Sequence, residues 1–167
     1  LGLIINAVNI DALGFIPGAD TLLSILAAVA FIIYFVGISG MRKVCLSTSY
    51  GKGVSQLYAS ALLIICASII DILPLMGWVT TILNIVAFVF TFLGYNELRK
   101  VTEDENLAAG AKLLWISAII CLATSFFGFI PFVGAIVLGI AGIADFVLSF
   151  LGWKKISNSK FNPGQLA

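Results

Sequence analysis

Six stretches of the chain are almost wholly apolar: Leu1 to Phe15, Leu22 to Ile38, Leu57 to Ile72, Val79 to Tyr95, Leu113 to Phe129 and Ala135 to Trp153. Two kinds of break alternate between them. Short turns with Pro17, Pro74 and Pro131 follow the first, third and fifth stretches, and polar linkers carrying Lys and Arg follow the second and fourth. Most runs are about 16 to 19 residues, at or slightly below the roughly 20 that carry an α-helix across a hydrocarbon core, and well beyond the roughly 9 to 11 of a barrel strand. Lipid offers no partner to backbone polar groups, so the pattern predicts six short transmembrane helices. Polar flanks or local thinning of the bilayer supply the missing length.

The same pattern repeats internally. Pro17, Pro74 and Pro131 are spaced 57 residues apart, and the offset also pairs Arg42-Lys43-Val44 with Arg99-Lys100-Val101. It further aligns Gly37 with Gly94, Gly53 with Gly110, Gly77 with Gly134, Ser60 with Ser117, Ser68 with Ser125 and Tyr58 with Trp115. Such self-similarity is the signature of stacked structural units. The expected architecture is therefore all-α: one transmembrane domain over 1–153, made of three parallel two-helix repeats at about 1–43, 44–100 and 101–153. Approximate threefold pseudosymmetry follows, with 154–167 as a cytoplasmic tail. Proline lacks a donor and clashes with the preceding turn, so the three prolines mark reversals between helices. The other reading, a proline kink within one long helix per repeat, would put basic clusters on both sides of the membrane.

Composition agrees with a bilayer environment and narrows the function. Of 167 residues, 61% are hydrophobic and 10% are charged, with a mean hydropathy of +1.15. A soluble domain carries roughly 25% charged residues, and a globule of this size has no interior for so much apolar surface. The net charge of +1 gives no footprint for nucleic acid, which is excluded as a partner. The start of the chain has no charged n-region, and Asn6, Asn9 and Asp11 interrupt its first apolar stretch, so a secretory signal is not expected. Cys45, Cys66 and Cys121 are odd in number and far apart, and histidine is absent. Neither a disulfide framework nor a zinc site is expected, and the cysteines read as small buried apolar groups.

The distribution of charge predicts orientation. All nine basic residues fall in the linkers, their flanks or the tail: Arg42, Lys43, Lys52, Arg99, Lys100, Lys112, Lys154, Lys155 and Lys160. The proline turns have none. The positive-inside bias then places both termini and the linkers in the cytoplasm, in an inner membrane of bacterial type. Tyr58, Tyr95, Trp115 and Trp153 lie near the basic side as interfacial anchors, with Trp78 toward the other. Within the second linker, the acidic run Glu103-Asp104-Glu105 before Asn106 suits the start of a helix.

Polar groups inside the apolar runs carry what functional signal there is. Asp145 lies near the middle of the last span, where a carboxylate costs at least about 2.5 kcal/mol on insertion scales. Its counterparts at 57-residue spacing are Phe88 and Phe31. Two roles suit it: ion or proton handling, or a hydrogen-bonded packing pair. Asn9 and Asn84 join it as a possible ion or proton site, while Ala135, Gly139 and Gly142 offer a small surface on which another helix can pack beside the acid. Asp11, Asp20 and Asp71 give the proline-turn side a negative tendency. No catalytic constellation, metal site or cofactor motif is present: the serines have no base, and the glycines form no phosphate loop. The expected function is a small structural or accessory subunit of a membrane complex, with lipids and a homo- or hetero-oligomeric membrane protein as partners. The alternative is a small ion- or proton-coupled transporter or channel using Asp145.

Overall fold

The computed structural model describes residues 19–70, 76–101, 103–127 and 133–159, with the side chains of 19–27, 125–127, 133–136 and 138 excepted. Five α-helices fall within it: α1 (Ala19–Cys45), α2 (Gly51–Ile70), α3 (Gly77–Leu98), α4 (Glu105–Phe127) and α5 (Val133–Ser157). There is no strand among the described residues. At 1.5 Å per residue the helices are about 30 to 40 Å long. Four of them, α1 to α4, contain segments long and apolar enough to cross a membrane. This points to a membrane protein. The expected first span, Leu1 to Phe15, and the turn prolines Pro17, Pro74 and Pro131 lie outside the described residues, so five helices are seen where six are expected.

The helices are longer than the apolar runs because they extend into the polar linkers. The α1–α2 linker is closed by Thr48, which donates its backbone N–H and its hydroxyl to the Cys45 carbonyl, at 2.9 and 2.8 Å. Gly51 then opens α2 against this turn. A Cβ there would stand 2.6 Å from the Cys45 carbonyl oxygen, so a side chain cannot fit without moving backbone. At the second linker Asp104 caps α4, its carboxylate accepting the backbone N–H groups of Asn106 and Leu107 at 2.9 and 3.1 Å. That satisfies two of the four donors a helix start leaves unpaired.

α2 packs along α3 and α4 along α5 as two antiparallel hairpins; lighter contacts join α1 to α2 and α3 to α4. An edge-on contact between Tyr34 and Trp153, with ring centroids 5.9 Å apart, brings α1 to α5. The described basic residues therefore gather at one end of the bundle. The main apolar core sits there too, drawing Ile38 from α1, Val54 and Leu57 from α2, Leu98 from α3, Leu107 and Leu114 from α4 and Ile156 from α5. Ile140, Ile143, Val147 and Phe150 are exposed along one face of α5, Ile143 at 70%. Their spacing of three and four residues makes a continuous apolar stripe suited to lipid.

Candidate functional site

Two close helix contacts set the geometry of the polar groups. In the first hairpin, a Cβ on Gly53 would lie 3.0 Å from the Gly94 carbonyl oxygen and 2.8 Å from Leu98; one on Gly94 would lie 3.0 Å from the Gly53 carbonyl oxygen and 2.8 Å from Leu57. In the second, a Cβ on Gly110 would lie 2.6 Å from the Gly152 carbonyl oxygen and 2.7 Å from Ile156; one on Gly152 would lie 3.1 Å from the Gly110 carbonyl oxygen and 2.8 Å from Leu114. Each hairpin is thus joined backbone to backbone at a glycine pair, flanked by a larger residue from each helix.

Farther from the basic end, by seven residues on α2 and α4 and by three on α3 and α5, hydroxyl groups meet across both hairpins. Ser60 of α2 and Thr91 of α3 share a hydrogen bond of 2.6 Å, and Thr91 also donates to the Ala87 carbonyl at 3.0 Å. In the other hairpin Ser117 of α4 and Ser149 of α5 are 3.3 Å apart, and Ser117 donates to the Asp145 carboxylate. The Cys121 thiol, one turn along α4, also reaches that carboxylate.

Together the glycine and hydroxyl contacts correct the alignment of Asp145. Residues of α2 and α4 correspond at 57, but those of α3 and α5 correspond at 58: Gly94 with Gly152, Leu98 with Ile156, and Thr91 with Ser149. By these contacts Asp145 stands where α3 has Ala87, not Phe88. The physical reason is rotational. One residue turns a helix by about 100°, so an offset of 57 would aim the carboxyl away from α4. Ala87 is buried, as is Asp145 at 9% exposure. The carboxyl replaces a methyl group facing the partner helix and meets a hydroxyl already placed there.

Asp145 is twelve residues from either end of α5, about 18 Å along the axis. It faces away from the exposed stripe of Ile143 and Val147. Beyond its own hairpin, Tyr34 of α1 and Tyr95 of α3 interact through their hydroxyls. The interior thus carries polar groups from α1, α3, α4 and α5. Asn84 is exposed on α3 and does not share this interior. Asn9 lies outside the described residues. Gly139 is also exposed, with nothing within 4 Å of a built Cβ, and Gly142 is half-buried. Ala135 belongs to α5, though its side chain is outside the described set. The close helix approach occurs at Gly152, which the sequence reading did not single out. Its signal was present as a small residue at the basic end of the last span, displaced by one from the 57-residue register.

A second set of contacts joins one hairpin to the helix before it. Arg42 of α1 lies over the Tyr58 ring of α2 at 4.4 Å, and Arg99, at the end of α3, lies over the Trp115 ring of α4 at 3.7 Å. The same rings pack on Phe35 and Phe92, with centroids 5.6 and 5.3 Å apart. All three residue pairs are 57 apart. A sequence match between Tyr58 and Trp115 is thus also a match in what each ring touches.

Among the described residues no group of three or more His, Cys, Asp or Glu side chains is placed to hold a metal ion. Comparison with protein-family models, curated proteins and solved structures returns no match.

Proposed function

We propose that this chain is a small, non-enzymatic structural or accessory subunit of a membrane protein complex. The observation that carries the reading is the engagement of Asp145 by Ser117 within a packed helix pair. A carboxyl in this position serves as a hydrogen-bonding group that fixes the pairing of α4 with α5, as hydroxyls do between α2 and α3. The paired contacts at 57 and 58 residues support an architecture of two-helix units in parallel succession, with a third unit formed by α1 and the segment before it. In that arrangement six spans place the basic end in the cytoplasm by the positive-inside bias, consistent with a bacterial inner membrane. The apolar stripes facing outward then meet lipid or a neighbouring membrane protein; nucleic acid has no place in this reading.

Crosslinking in native membranes followed by gentle extraction tests it. One partner, recovered in constant stoichiometry, is the expected result. A chain that stays monomeric and supports selective ion flux after reconstitution would overturn the accessory role.

A second reading has its own observation. Ser117, Ser149 and Cys121 gather hydroxyl and thiol groups around Asp145, an arrangement suited to ion or proton handling in a small transporter or channel. Asp145→Asn separates the two. In the transport reading it alters flux or its pH dependence with assembly intact; in the packing reading it lowers thermal stability or assembly, and neither form supports flux.

A further inference from the structure

The two arginine–aromatic contacts have no role in joining the hairpins internally, and they lie at the end where the basic residues collect. Each guanidinium uses its face on a ring. The edge of a guanidinium carries its N–H groups; among the described residues Arg99 spends its Nε–H on Asn96, and the terminal N–H groups of both arginines are left for something else. No carboxylate lies within ion-pair distance of Arg42 or Arg99 among the described residues; the ion pairs present are Lys52 with Glu97 at 3.4 Å and Lys100 with Glu97 at 3.1 Å. Among the described residues the Arg42 Nε is buried with no hydrogen-bond partner, while the Arg99 Nε donates to Asn96 at 2.9 Å.

We infer that Arg42 on Tyr58 and Arg99 on Trp115 form two sites for the phosphate of an anionic phospholipid at the basic face of the bundle. The inference rests on the membrane reading of the helices, not on the accessory role. A topology signal requires only positive charge near a helix end. It does not require that the cation be an arginine held at a fixed ring, nor that Phe, Arg and ring recur together at two linkers. The chemistry of a phosphodiester accounts for both features. A planar guanidinium donates two parallel N–H groups to phosphate oxygens, and stacking on a ring fixes the direction of that fork before lipid arrives. Phe35 and Phe92 pack against the same rings. Lys43, exposed beside Arg42, adds charge at the first site, whereas Lys100 at the second is engaged by Glu97. Arg42 should therefore be the stronger site.

The test uses the full chain purified in neutral detergent and exposed to micelles doped with phosphatidylglycerol or phosphatidylcholine. Retained lipid is counted by native mass spectrometry, and melting is followed in parallel. Selective retention of up to two phosphatidylglycerol molecules per chain is expected. Arg42→Gln and Arg99→Gln should each weaken retention about fivefold, the effect of one basic residue near an anionic surface. Arg42→Lys with Arg99→Lys, which keeps the charge but loses the planar fork, should lose most of the selectivity. Tyr58→Leu and Trp115→Leu should reproduce that loss without changing charge. Equal retention of the two lipids by the unaltered chain would overturn the inference. So would lysine variants that bind as the original, since charge alone would then suffice. Glutamine variants that melt lower in phosphatidylcholine while retaining phosphatidylglycerol normally would also overturn it, because the arginines would then only brace the helices.

Discussion

Ser117 and Ser60 occupy matching places, yet their loss should have unequal consequences. Ser60→Ala removes one hydroxyl pair, and interhelical hydrogen bonds in membranes average about 0.6 kcal/mol. Ser117→Ala removes a donor from a buried carboxyl, which falls in the range of about 1 to 3 kcal/mol for leaving such a group short of a partner. Reversible unfolding in mixed micelles should therefore rank Ser117→Ala as the more damaging. Combined with Asp145→Ala, its cost should shrink, since no carboxyl remains to be satisfied; fully additive costs would mean that Ser117 and Asp145 do not interact. Tyr50, in the first linker, offers a contrast outside the membrane segments. Burial first, then the nearby Glu103 carboxylate, raises its phenol above the ordinary value. The folded state thus holds that proton more tightly than the unfolded chain, so its contribution is complete below a pH of about 10 and is lost as pH climbs through the raised value. Glu103→Gln should bring the Tyr50 titration, followed by NMR of labelled tyrosine, back toward ordinary; an unchanged midpoint would remove Glu103 as a cause.

The positions of the five described helices were legible in the apolar runs and the basic linkers, because a 20-residue apolar stretch has few alternatives in lipid. Their rotation was not. Ser60 and Ser117, like Gly53 and Gly110, make similar contacts on α2 and α4 at a spacing of 57, but their partners on α3 and α5 are one residue farther apart, and a one-residue change turns the facing side chain by about 100°. That is why Asp145 could be recognised as unusual without its hydroxyl partners being identifiable. The same ambiguity affected the glycines, because spacing alone does not tell which small residue meets a neighbouring helix. Gly110→Ala should cost about 1 to 3 kcal/mol, since its Cβ would meet a backbone carbonyl and the helices must separate. Gly139→Ala, with open space around it, should be neutral or gain up to about 1 kcal/mol from better helix propensity. Thermal melting of the two variants checks both expectations, and comparable destabilisation would show that Gly139 also packs closely.

At the scale of the whole molecule, the bundle is strongly polarised. Among the described residues, the larger buried side chains concentrate at the basic end, where Lys52 pairs with Glu97, Ser49 donates to Glu103 at 3.0 Å, and Asn106 donates to the Asn158 carbonyl at 3.3 Å. These contacts tie together the linkers and the end of α5, so that end must lie on one side of the membrane as a unit. The opposite end begins α3 at Gly77 beside exposed Met76 and Trp78. The charge asymmetry favours a cytoplasmic basic end by the bias of Lys and Arg in short loops. Single cysteines placed at Ser49, Asn106 and Gly77, in a background with Cys45, Cys66 and Cys121 replaced, turn this into a measurement on intact cells. A membrane-impermeant reagent should modify the Gly77 site directly and the Ser49 and Asn106 sites only after permeabilisation. The Ser49 and Asn106 sites must respond together whatever the orientation, because the linkers touch. Labelling of both from outside, with Gly77 protected, would reverse the orientation while preserving the bundle; labelling of one linker from each side would contradict the packing of the hairpins itself.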